Sequence, residues 1–144
     1  MELNRFSVSA RLEYIPQSID SFITLCEGLI ASVTNDPTAQ FFLKNAIDEF
    51  TTNAMEHGYL KSSGVVTVNV ERHENYITLE ILDNGVGIDL SKVRFDREAR
   101  SYHDLTARGW SFSILSHIAT QVSIKPNEPS GTIVTLAIPL PLKI

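Results

Sequence analysis

The segment that opens with Asn35-Asp36-Pro37 and closes at Gly58 constrains this chain more than any other. An aspartate ahead of a proline marks a helix start. Its side chain can accept from the first free N–H groups, and proline fixes φ at the first helical position, where its missing N–H is not needed. Glycine at the far end is the usual stop. Between them Leu43, Ile47, Phe50 and Ala54 recur at helical spacing, so one side of this helix must lie on a core. The neighbouring stripe, within Ala46 to Tyr59 (AIDEFTTNAMEHGY), is polar: Glu49, Asn53 and His57 follow one another at i, i+4. A carboxylate, an amide and an imidazole in one row can polarise a water or hydroxyl. They can also complete the shell of a hard cation such as Mg²⁺, which keeps several waters and takes few protein oxygens. Taken alone, the row is more simply a solvated helix face.

The flanking segments supply a sheet for that helix to cover. Residues 4 to 15 alternate Phe6, Val8, Ala10 and Leu12 with polar partners, as an amphipathic strand does, and Pro16 ends the strand. From Gln17 to Val33 the apolar positions follow the i, i+3, i+4, i+7 template of a helix laid on a sheet. VVTVNVERH and YITLEILD then form a hairpin turned around Glu74-Asn75. The second of these strands runs into Asp83-Asn84-Gly85-Val86-Gly87, where two glycines permit positive φ and let a ligand approach the backbone. An ordinary Asn-Gly turn explains the same residues equally well. Asp89 to Arg108 has no steady period and carries Arg94, Arg97, Arg100 and Arg108. It reads as a long connection, mostly solvated, from which one or two arginines could fold over a triphosphate. Gly109 to Ala119 is helical again, with an N-terminus suited to an anion. QVSIKP and GTIVTLAIPL close the chain as two strands around residues 127–131.

Composition removes several classes. The 144 residues suit one domain, expected over 1–144, and this length buries roughly 68–70% of the unfolded surface without a staple. The only cysteine, Cys26, sits in an apolar helical pattern, which excludes an intrachain disulfide and fits a reducing, cytoplasmic setting. The opening MELNRFS lacks a basic region followed by an apolar one, and no apolar run is long enough to span a bilayer, so neither export nor a membrane partner is expected. A net charge of −5 argues against direct nucleic-acid binding, which rests on excess Lys and Arg. There is no G-x-x-x-x-G-K-[ST] loop, no G-x-G-x-x-G opening a helix, no protein-kinase H-R-D with D-F-G, and no zinc spacing among the histidines.

What remains is a combination in a fixed order: E-x-x-x-N-x-x-x-H on a helix, D-N-G-V-G after a strand, R-G-W-S-F at a helix start and G-T-I-V-T in the last strand. In this the chain resembles the GHKL ATPase superfamily, the Bergerat fold. Within it the chain is similar to the small anti-sigma factor serine/threonine-protein kinases of bacterial sporulation and stress responses. The resemblance covers nearly the whole chain and implies an α/β two-layer sandwich, with a mixed, mostly antiparallel sheet covered on one face by three helices. It implies ATP and Mg²⁺ as cofactors. Glu49 would be the general base toward a serine hydroxyl, Asn53 the metal ligand, and His57 a supporting residue. Asp83 would accept from the adenine amine, Gly85 and Gly87 would let the base lie against the backbone, and Thr132 would complete the base contacts through water. Arg108, Gly109 and Ser111 would stand at the phosphate end, and about 89–108 would form the ATP lid. The implied partners are a sigma factor and an anti-sigma factor antagonist of the STAS type, with the protein acting as a homodimer.

Three positions depart from the family pattern. The helix start usually reads G-x-G but here is Gly109-Trp110-Ser111, and a left-handed serine costs about 1–2 kcal/mol, or roughly tenfold in affinity. Asp20 and Glu27 stand on the first helix where relatives often carry arginine for partner contacts. A catalytically weak or inactive partner-switch module of the same fold is therefore the alternative, and a stand-alone ATPase domain of histidine-kinase type is a third.

Overall fold

The computed structural model describes residues 4–86 and 118–141. In chain order these form β1 (Asn4–Leu12), α1 (Pro16–Val33), α2 (Pro37–Asn53) continuing into a π-helical turn (Ala54–Gly58), β2 (Gly64–Arg72), β3 (Tyr76–Asp83), β4 (Gln121–Pro126) and β5 (Thr132–Pro139). The strands make a five-stranded sheet in the order β1-β2-β3-β5-β4. Every ladder among the described strands is antiparallel. This is the expected α/β two-layer arrangement at the antiparallel limit. The third expected helix, Gly109–Ala119, lies outside the described residues except for its last two positions, of which Ile118 is buried in the common core.

Alternation along the strands divides the sheet into two unlike faces. Val66, Val68, Val70, Ile77, Leu79, Ile81, Val134, Leu136 and Ile138 point to the core, where Phe22, Cys26 and Ile30 of α1 and Leu43, Ile47 and Phe50 of α2 cover them. Fully burying one such side chain contributes about 1.5–3 kcal/mol. The opposite face is polar and cross-linked strand to strand. Ser7 Oγ donates to Asn69 Oδ1 at 2.6 Å, Asn69 Nδ2 to Glu80 Oε1 at 2.9 Å, and Arg5 Nη2 to Glu71 Oε2 at 2.9 Å. The two helices therefore share one side, and the site they could build lies between the helix layer and the sheet ends.

The helix boundaries follow local chemistry. Asp36 Oδ1 accepts from Thr38 N at 3.0 Å, with Pro37 next in the chain, as its position ahead of the proline predicted. At the end of α1, Arg72 Nη1 donates to Val33 O at 3.0 Å, placing a cation on the negative end of the helix. β1 is shorter than predicted and stops at Leu12, because Ile15 N bonds back to Glu13 O and Ser18 Oγ takes the N–H of Glu13, turning the chain before Pro16. None of the helices among the described residues is long and apolar enough to cross a membrane.

Candidate functional site

The polar row on α2 is no solvated face. Glu49 is only 1% exposed and Asn53 is half-buried, whereas His57 is exposed. Burying a carboxylate is costly, and a helix with no use for it would carry an apolar residue there. The row also breaks between its second and third members. From Ala54 the helix widens to i→i+5 bonding, with Tyr59 N donating to Ala54 O at 2.8 Å, so His57 no longer falls in line above Asn53. The His57 ring instead lies 3.7 Å from the carboxylate of Glu56, whose other oxygen accepts from Tyr14 OH at 3.0 Å. Single π-helical turns of this kind are rare and are frequently found at functional sites.

The widened turn delivers the helix end to Asp83. This aspartate closes β3 with 7% exposure and pairs in register with Thr132 of β5 on one side and Val66 of β2 on the other. Its Oδ1 accepts from Gly85 N at 2.9 Å, and the backbone N–H of Thr132 also donates to the carboxylate. Burial pushes the Asp83 carboxyl above the ordinary aspartate range, and those two N–H groups pull it part of the way back. A carboxylate offers about four acceptor positions, so two backbone donors leave capacity for an exocyclic amine.

Gly58, Gly85 and Asp83 form one knot. A Cβ on Gly58 would stand 3.1 Å from Asp83 Oδ1, one on Gly85 would collide with the carbonyl of Gly58, and Val86 N donates to that same carbonyl at 2.8 Å. Close approach, not positive φ, is what favours glycine at both positions: to the Asp83 carboxylate at Gly58 and to the Gly58 backbone at Gly85. The left-handed residues at the helix exit are Leu60 and Lys61, and the glycine with positive φ among the described residues is Gly131. The β4–β5 connection closes over the knot, with Asn127 Nδ2 donating to Asp83 O at 2.8 Å and Ser130 Oγ to Asn84 O at 3.2 Å.

Of the residues singled out in the sequence, the fold thus gathers Asp83, Gly85 and Thr132 at one point. It sets Asn53 and then Glu49 progressively further back along the helix that ends there. His57 stands apart, and Gly87, Arg108, Gly109 and Ser111, with the proposed lid at 89–108, lie outside the described residues. Sequence reasoning passed over Tyr59, Asn127 and Ser130. Tyr59 directly follows the stop glycine, but the other two carry only the ordinary signature of a turn.

The residues suit magnesium-bound nucleotide. Asp83 is an acceptor held rigidly at a strand end, and Asn53 offers a single neutral oxygen, the sparse protein ligation magnesium tolerates when phosphates and waters fill its shell. Among the described residues no group of three or more His, Cys, Asp or Glu side chains gathers into an all-protein cage.

Residues 8–138 match the family described as the histidine kinase-like ATPase domain. Curated relatives include the anti-sigma F factor of Clostridium acetobutylicum, 29% identical over 67% of this chain and 69% of its own length. Those of Clostridium botulinum and Priestia megaterium are each 28% identical over 92% of this chain, covering 88% and 86% of theirs.

Proposed function

The chain belongs to the family of histidine kinase-like ATPase domains, and from that premise we propose that it is an ATP- and Mg²⁺-dependent protein serine kinase that acts as an anti-sigma factor. The observation that carries this reading is the buried Asp83, fixed by Gly85 and Thr132 and pressed against the end of the same helix that holds Glu49 and Asn53. Magnesium-bound ATP would supply the phosphoryl group and the charge neutralisation its transfer needs. Asp83 accepts from the adenine amine, Gly85 and Gly87 line the base, and Thr132 completes its contacts through water. Asn53 ligates the metal. Arg108, Gly109 and Ser111 stand at the phosphates, and His57 supports the helix end. Glu49 orients the attacking serine hydroxyl and takes its proton as the new O–P bond forms and the bond to the leaving diphosphate breaks.

The names of the relatives support a sigma factor as the protein held. The second partner in this reading is an antagonist of the STAS type, whose serine takes the phosphoryl group, so that the sigma factor is released or sequestered by partner switching. The working unit is a cytoplasmic homodimer. Calorimetry with ATP and Mg²⁺ tests the site: heat of binding is expected for the native chain, and affinity is weakened in Asp83→Ala and in Asn53→Ala. Unchanged heat in both variants sinks the assignment. Labelled ATP with a serine-bearing antagonist tests the chemistry, where transfer is expected and Glu49→Gln abolishes it. The serine at 111, in place of the family glycine, favours one competing reading, a non-catalytic partner switch. Tight partner binding with no transfer by the native chain would select it.

A further inference from the structure

The ladder between β2 and β3 ends at Val66 opposite Asp83, and one more rung would set Val65 opposite Asn84. That rung is occupied by a side chain. The hydroxyl of Tyr59, the first residue beyond the π-helical turn, donates to Val65 O at 2.5 Å and accepts from Asn84 N at 2.8 Å. The backbone donor and acceptor that a continued ladder would present to each other are thus satisfied through one inserted oxygen, so the strands part without leaving either group unpaired. The ring reaches this position because residue 64 is glycine, since a Cβ there would overlap the aromatic carbons of Tyr59. β3 is released from its neighbour immediately after Asp83, and the residue after the wedge contact, Gly85, is the one whose N–H holds Asp83 Oδ1.

We infer that Tyr59 is a positioning residue for base recognition: wedged between Val65 and Asn84, it fixes the turn that aims the Asp83 carboxylate and so sets discrimination for a purine bearing a 6-amino group. This rests on the reading of Asp83 as the acceptor of that amine. Tyr59 itself need touch no ligand. Without the hydroxyl, Asn84 N and Val65 O can close the missing rung directly or take up water, and either outcome shifts the turn beneath Asp83.

Tyr59→Phe removes one oxygen and leaves the ring over Gly64, and the decisive measurement is the ratio of ATP to inosine triphosphate affinity. Inosine presents a carbonyl where adenine presents the amine, so the ratio reports the aim of the carboxylate and not the general health of the fold. Tyr59→Phe is expected to lower ATP affinity by about three- to tenfold, the worth of one hydrogen bond, while inosine triphosphate binding stays within about twofold and the ratio collapses. Amide exchange at Asn84, followed without nucleotide, is expected to accelerate in the same variant. A preserved ratio in Tyr59→Phe alongside a lost ratio in Asp83→Ala overturns the role of Tyr59 and leaves the Asp83 reading standing. A native ratio in Asp83→Ala overturns that reading, and this inference with it.

Discussion

Asp83 carries opposite obligations toward folding and toward ligand, and pH separates them. Burial raises its carboxyl above the ordinary aspartate value, so between the two values the folded chain binds a proton that the unfolded chain does not. Its contribution to stability is therefore fully present on the acid side and is lost as pH rises through the raised value. Binding of an amine donor runs the other way, because the ionised carboxylate accepts more strongly than the protonated acid, which turns one acceptor oxygen into a donor. ATP affinity is expected to fall on acidification through the raised value, sooner than an ordinary aspartate would allow. Calorimetry across that range checks it, with Asp83→Asn as the control whose profile retains only the titration of the nucleotide itself. Glu49 illustrates what the sequence could reveal at this scale and what it could not. Its identity and its spacing from Asn53 were legible, but its burial was not, since a residue on the border between an apolar and a polar stripe can face either way.

Elements obey local rules until tertiary contacts overrule them, and α2 does both within one run. Its start was readable from Asp36 and Pro37, because a cap needs only its immediate neighbours. The π-helical turn was not readable, since nothing in AMEHG by itself prefers i→i+5 bonding. The turn is held by what Gly58 meets, namely the Asp83 carboxylate and the Gly85 backbone, both contributed by another part of the chain. Gly85→Ala forces a methyl into the Gly58 carbonyl and is expected to destabilise the fold by about 1–3 kcal/mol, read as a lower denaturant midpoint. Gly28 supplies the contrast. It lies inside α1 with nothing within 4 Å of where its Cβ would stand, so Gly28→Ala is expected to stabilise by about 0.5–1 kcal/mol in the same assay.

Across the whole molecule the strands were legible from alternation, whereas their order β1-β2-β3-β5-β4 was not, because period-two patterning says which face a residue takes but not which strand lies beside it. That order decides the site: β5 beside β3 puts Thr132 against Asp83, and the packing of α2 on the same sheet brings Gly58 to both. The nucleotide would then be held from two elements at once, its base by the strand ends and its metal by Asn53 on the helix, and ligand binding must stabilise the fold as a unit. A ligand present at a hundredfold over its Kd adds about 2.7 kcal/mol, which for a domain of this size raises the melting temperature by about 5–10 °C. Two substitutions divide that rise by its physical source. Asp83→Ala removes the base contact and is expected to shrink the shift whether or not magnesium is present. Asn53→Ala leaves the base contact in place and is expected to flatten only the dependence of the shift on magnesium concentration. Thermal melts over a magnesium titration distinguish the two patterns. A magnesium response in Asn53→Ala equal to that of the native chain would place the metal elsewhere, leaving α2 a scaffold for the base site alone.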